Sequence, residues 1–184
     1  MVLKFILCGD SSVGKTTIRQ RYFGLKFVGQ YLRTTGAEFS IKEIIHQDGS
    51  TSKAQVWQIA SQESFSEVRP LYYQQTHLGL LVYDITVPKT LENVVKWIKD
   101  IQATVGIIPV VLIANKIDLR ETVPNSVTTA EGSKFARKIT LELLKNSFDV
   151  PFVELSAKTG QVIPSGGILI KLKEYETNFY LFNS

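Results

Sequence analysis

The sequence predicts a three-layer α/β domain built on a largely parallel sheet, and three observations carry that prediction. Short apolar runs alternate with stretches of helical periodicity from end to end. The runs are apolar on both faces, as expected of strands covered by helices on either side. A length of 184 residues is enough for one substantial core, so the whole of 1–184 is expected to form a single domain.

The elements follow in order. "VLKFILC" (2–8) reads as the first buried strand, leading directly into "GDSSVGKT" and a helix. "EFSIKEII" and "KAQVWQI" flank the turn-like "HQDGSTS" and are expected to form a hairpin. "LGLLVYD" (78–84), "PVVLIAN" (109–115) and "PFVELS" (151–156) are three more buried strands. Between them, "TLENVVKWIKDIQATV" sets Leu91, Val94, Val95, Ile98 and Ile101 on one helical stripe, with Thr90 as the expected N-cap. Thr128 and Glu131 stand at capping-box spacing and mark another helix start. "VIPSGG" is rich in helix breakers, so the last helix is expected to begin late, near Ile168.

Composition narrows the classes without pointing to nucleic acid or membrane. The net charge of +4 is mild and its basic residues are scattered, so nothing asks for nucleic acid. The single cysteine, Cys8, lies inside an apolar run, which makes it a buried, inert thiol and rules out an internal disulfide. No apolar run approaches the roughly 18 residues of a membrane-spanning helix. The N-terminus lacks a signal-peptide pattern, because Lys4 interrupts a short strand-like segment.

The chemistry begins at "GDSSVGKT", Gly9 to Thr16, which matches G-x-x-x-x-G-K-[ST] between a strand and a helix. Successive backbone N–H groups make an anion-binding concavity there, and the helix N-terminus adds the positive end of its dipole. The phosphate-contacting stretch is expected to run from Asp10 through Ser11, Ser12, Val13, Gly14, Lys15 and Thr16 to Thr17. Lys15 would reach the β- and γ-phosphates, and the Thr16 hydroxyl would ligate Mg²⁺. Two distant segments, "NKID" (115–118) and "SAK" (156–158), follow strands and so fall on the ligand-binding edge of such a sheet. A carboxylate at Asp118 accepts two hydrogen bonds from guanine N1–H and its 2-amino group. Adenine lacks that donor pair and would leave a buried charge unpaired. A small-molecule kinase lacks support, since no lid-like arginine cluster is visible.

With these segments in this order, the chain resembles the Ras superfamily of small GTPases and, within it, the Rab family. The residues that carry the likeness are "GDSSVGKT", "TTGAEF" (34–39), "YY" (72–73), "VYDIT" (82–86) and "LENVVKWI" (91–98). The resemblance implies a P-loop G domain, with a six-stranded mostly parallel sheet and flanking helices, that binds GTP or GDP with Mg²⁺ and hydrolyses GTP slowly. It implies that Phe27 packs on guanine, that Asn115 and Lys116 brace the base pocket, and that Ser156, Ala157 and Lys158 complete it, with the Ala157 N–H on the guanine carbonyl oxygen. It makes Thr34 a second Mg²⁺ ligand in the GTP state, Tyr31 a cover for the phosphates, and Gln62 the residue that orients the attacking water. It places Phe39, Trp57 and Tyr72 in an aromatic cluster that recognises partners. Effectors, exchange factors and GTPase-activating proteins are the partners implied, with a cytoplasmic location peripheral to endomembranes.

One stretch departs from the family. Small GTPases carry D-T-A-G-Q-E where this chain reads Gln58, Ile59, Ala60, Ser61, Gln62, Glu63. Gln58 removes a negative charge beside the Mg²⁺ position, worth on the order of a few kcal/mol at an effective dielectric of about 20. Ser61 carries a Cβ where glycine lets the segment swing toward the γ-phosphate. A guanine-nucleotide-binding module with little hydrolysis or switching is therefore the alternative expectation. Rab proteins are typically prenylated on C-terminal cysteines, and this sequence, ending "NFYLFNS", shows no lipid anchor. The expectations are a longer parent chain, another route to membranes, or no membrane attachment.

Overall fold

A computed structural model describes residues 2–24, 36–45, 51–163, 169–171 and 178–180. Strand β1 (Val2–Cys8) is parallel to both β3 (Thr51–Ile59) and β4 (Leu78–Asp84). β5 (Val110–Asn115) and β6 (Phe152–Leu155) extend the parallel run, while β2 (Ala37–Ile45) pairs antiparallel with β3, giving the expected hairpin. These are the six strands that the sequence implies. A two-residue β7 (Val162–Ile163) adds an antiparallel edge to β6, so the order is β2-β3-β1-β4-β5-β6-β7.

The alternation of each strand sorts its side chains into two cores. Leu3, Phe5 and Leu7 of β1 join Val56, Leu80, Val82, Val111 and Ile113 under helix α1 (Lys15–Tyr22), which contributes Ile18. Ile6 and Cys8 point to the opposite face, with Leu81, Tyr83, Leu112 and Ala114. The short helix α2 (Arg69–Tyr73), with α3 (Pro88–Val105) and α4 (Thr129–Lys138), covers that face. The capping box at the start of α4 is present: Thr128 Oγ1 accepts from the Glu131 N–H, and Glu131 Oε2 accepts from the Thr128 N–H. One π-helical turn, Ile139–Leu143, continues α4.

Three expectations are corrected. Helix α3 starts at Pro88 rather than after Thr90, because proline at the first helical position loses no hydrogen bond and brings a helical φ. Thr90 turns inward instead, accepting from the Asp84 N–H at 3.0 Å and donating to the Val87 carbonyl at 2.7 Å. The buried stripe of α3 contains Trp97 where Val95 was expected. The last helix, expected near Ile168, is not formed by Leu169–Lys171, which pairs antiparallel with Asn178–Tyr180 as β8 and β9. Ile170, Phe179 and Tyr180 are strand-favouring residue types, and a short apolar run does not distinguish strand from helix by period.

This topology prepares a site. β1, β4, β5 and β6 all end on one edge of the sheet, where Asp84 stands beside Asn115 and Asn115 beside Leu155. The loops that follow β1, β5 and β6 therefore emerge side by side.

Candidate nucleotide site

The phosphate loop leaves β1 at Gly9 and enters α1 through Gly14. Gly9 takes φ 142° and Gly14 takes φ 98°, and a Cβ on either would collide, with the Val82 carbonyl in one case and the Asn115 carboxamide in the other. Both glycines are therefore required by shape. Ser12 also adopts the left-handed region, at φ 64°, and stands exposed beside Ser11. Val13 is fully buried and ties the loop to the core. No side chain caps the α1 terminus and no acidic residue lies in its first turn, so its positive end, including the backbone of Thr16 and Thr17, is kept for an anion.

Lys15 is folded back into the loop. Its Nζ donates to the carbonyls of Gly9 at 2.8 Å and Asp10 at 2.7 Å, and the residue is only 7% exposed. Burial pulls its pKa down to about 8, against a smaller opposing pull from the Cys8 thiol and the Asp10 carboxylate. A phosphate brought into this loop would restore the charged form. The Asp10 carboxylate itself faces away from the loop, accepting from Asn93 Nδ2 at 2.6 Å and Trp97 Nε1 at 2.9 Å, both on α3.

On the base side, Asn115 joins the two halves of the site. It is 2% exposed, its Nδ2 donates to the Val13 carbonyl at 2.8 Å, and its Oδ1 accepts from the Ala157 N–H at 3.0 Å. That N–H, expected on guanine, is engaged by Asn115 here. Lys116 takes a left-handed φ of 69° and pairs with the buried Asp84 at 2.5 Å, which steadies the turn into Asp118. Asp118 Oδ1 is buried and has no hydrogen-bond partner among the described residues. An unpartnered buried carboxylate oxygen is costly, and a ligand with N–H donors would relieve it. Ser156 is buried and its hydroxyl accepts from the Thr159 N–H at 3.1 Å, which shapes the turn carrying Ala157 and the exposed Lys158. Arg21 of α1 clamps that turn by donating to the Ala157 and Lys158 carbonyls, each at 2.7 Å.

The corner next to Thr16 is arranged differently. Gln58 is 1% exposed and its Nε2 donates to Thr16 Oγ1 at 2.7 Å. Its Oε1 accepts from Arg19 Nε at 3.1 Å, and Arg19 also donates to Ser40 Oγ at 2.8 Å and pairs with Glu38. A divalent cation held by a threonine hydroxyl and by its own waters needs lone pairs facing it. Among the described residues this corner presents an amide N–H and a nearby guanidinium instead. Among the described residues Thr16 fits such an ion; the groups that touch it here do not.

Beyond this corner, Gln62 is half-buried in an extended conformation at φ −65°, ψ 139°, and Ser61 lies outside the left-handed region. Arg69, 4% exposed, grips this segment: it donates to the carbonyls of Ala60 at 3.3 Å, Ser61 at 2.9 Å and Gln62 at 2.7 Å. Its guanidinium lies over the Trp97 ring at 4.7 Å. The three aromatics come together as expected. Phe39 stacks on Trp57 with centroids 4.7 Å apart, and Tyr72 lies 6.2 Å from Trp57; Phe39 is 52% exposed. Phe27, Tyr31 and Thr34 lie outside the described residues.

Motif reasoning missed four contributors: Arg19, Arg21, Arg69 and Trp97. No local pattern marks them, because the partners of each lie outside its own element. The one available signal was the presence of Arg19 and Arg21 in the short helix that the loop motif opens.

Comparison with known proteins agrees with this geometry. The Ras family model matches residues 4–165. The chain is 37% identical over 147 residues to Ras-related protein RIC2 of Oryza sativa subsp. japonica, covering 79% of this chain and 66% of that protein. It is 35% identical over 164 residues to Ras-related protein Rab7 of Drosophila melanogaster, covering 86% and 73%. It is 38% identical over 164 residues to Probable Ras-related protein Rab-4A of Echinococcus multilocularis, covering 88% and 68%. The matches thus span about two thirds to three quarters of each relative's own length. A phosphate loop with its buried lysine, a base-side carboxylate on the same sheet edge, and a family match over most of the sequence lead to one conclusion: the chain belongs to the Ras family and is a Rab-like small GTPase.

Proposed function

We propose that this chain binds GTP and GDP, hydrolyses GTP slowly, and acts as a switch in vesicle trafficking. The observation that carries the reading is Asp118 Oδ1, buried without a partner among the described residues, in the turn Ile117–Leu119 that follows β5. Guanine supplies the donors that this oxygen lacks; adenine does not. In the reaction, Lys15 offsets charge developing on the transferred phosphoryl group and the backbone N–H groups of Asp10 to Thr17 hold the β-phosphate. Gln62 orients the attacking water, in line with the leaving oxygen. Phe27, Lys116, Ser156, Ala157 and Lys158 would frame the base, Tyr31 would cover the phosphates, and Thr16 and Thr34 are the candidates for a metal. Members of the family generally use Mg²⁺ to neutralise phosphate charge. The Phe39, Trp57 and Tyr72 cluster is the proposed surface for effectors and regulators.

Titration calorimetry with GDP and ADP, followed by single-turnover phosphate release, tests this reading. Equal affinity for the two nucleotides, or release no faster than from GTP in buffer, would sink it. The grip of Arg69 on Ser61 and Gln62 favours a second reading, a nucleotide-bound module that barely switches. If combining Gln58→Asp with Ser61→Gly leaves hydrolysis unchanged, that second reading loses its basis.

A further inference from the structure

The orientation of the Gln58 amide is not set by Gln58. The two ends of a carboxamide have nearly the same shape, and only their partners decide which way it faces. Arg19 Nε–H can only donate, so the carbonyl end of Gln58 must face it, at 3.1 Å. The NH₂ end is thereby turned onto Thr16 Oγ1, at 2.7 Å. Arg19 is itself anchored at its other two nitrogens, by Ser40 Oγ and by the Glu38 carboxylate. Its side chain is 15% exposed, so solvent competes weakly for these bonds.

Resting on the nucleotide-binding reading above, we infer that Arg19 is a positioning residue which, through Gln58, closes the divalent-cation position beside Thr16, so that guanine nucleotide is held with little help from Mg²⁺. The amide hydrogen occupies a lone pair of the Thr16 hydroxyl. It also presents positive charge to the waters that a cation would hold there, whose hydrogens point outward and need acceptors. The guanidinium one bond further, its charge offset only in part by the half-exposed Glu38 carboxylate, adds like charge to a divalent ion in surroundings drier than water.

A consequence separates this from a simple missing carboxylate. Gln58→Asp alone does not open the position, because the new carboxylate pairs with Arg19 and its charge is spent there. Arg19→Leu alone removes the fixed donor and frees the amide to turn its oxygen toward Thr16. Only the two together, Arg19→Leu with Gln58→Asp, leave an uncompensated carboxylate beside Thr16.

The experiment measures the GDP dissociation constant in excess Mg²⁺ and in excess EDTA for the wild type, both single variants, the double variant and Arg19→Lys. Calorimetric melting of each confirms folding. The wild-type ratio is expected within about threefold of unity, the double variant to gain roughly tenfold or more in metal dependence, and the single variants to fall well short of it. Arg19→Lys keeps a cation and a donor and is expected to behave as wild type, which a purely structural role for Arg19 does not require. A wild-type affinity that collapses in EDTA, or a Gln58→Asp variant as metal-dependent as the double, overturns the inference while leaving nucleotide binding intact. No GDP binding by the wild type in either condition overturns the nucleotide reading itself and this inference with it.

Discussion

Asp118 and Lys15 are charged groups that the fold holds at a cost until a ligand arrives. An orphaned carboxylate oxygen costs on the order of 1–3 kcal/mol in the empty protein. Asp118→Ala should therefore raise the melting temperature of the nucleotide-free chain while weakening GDP binding by about a hundredfold, opposite signs readable by calorimetry and titration on one sample. Lys15 gives a pH signature. Its pKa is about 8 when folded and 10.5 for a freely solvated lysine, so the unfolded chain binds more protons between those values. Its burial therefore opposes folding fully below pH 8, and the opposition fades as pH rises toward 10.5. Lys15→Met should be the more stable form at pH 7, by at most about 3 kcal/mol. The gap should narrow as pH climbs, in denaturant titrations of the two proteins side by side. A gap independent of pH between 7 and 10 would count against the buried-lysine account.

At the scale of elements, one side chain of α3 links the phosphate loop to the segment after β3. Trp97 donates to Asp10 on one side and carries the Arg69 guanidinium on the other, and Arg69 in turn holds three successive carbonyls. Arg69→Lys keeps the charge but loses the fork that reaches all three carbonyls. Its expected result is faster amide hydrogen exchange across residues 61–66 and a loss of about 2 kcal/mol, with β4 and β5 still protected. Much of this scale was legible beforehand. The parallel strands, the hairpin and the α4 capping box follow from apolar runs and cap chemistry. The start of α3 was misplaced because Thr90 is a good N-cap type and Pro88 a better first residue, a competition between two local rules. The 169–171 segment was misread because its short apolar run fits either period. Arg19, Arg21 and Arg69 could not be read at all: what each does is set by partners 39, 136 and 9 residues away, such as the Gln58 amide, the Ala157 carbonyl and the Ala60 carbonyl. The site motifs were legible because a backbone cradle for phosphate and a carboxylate for guanine need few residue types at fixed spacing.

For the whole molecule, the two cores on either face of the sheet are continuous with the site, so binding and folding are linked. Cys8 sits at the end of β1, fully buried, with its thiol pKa pushed up to about 12 by loss of solvent. Its reaction with a thiol reagent at pH 8 should track global opening rather than local fraying. Saturating GDP should slow it in proportion to one plus the ratio of ligand to dissociation constant. Labelling as fast as a free thiol would show that β1 opens on its own. The indole at the centre of α3 has a practical consequence as well. The chain has two tryptophans; Trp57 lies half-buried in the aromatic stack under Lys4, and Trp97 is 5% exposed between a carboxylate and a guanidinium. Their emission should separate by wavelength, the buried one bluer. The protein thus contains its own optical gauge: movement of the loop or of Arg69 changes the field across the Trp97 ring, and contact at the aromatic face changes Trp57, with no dye attached.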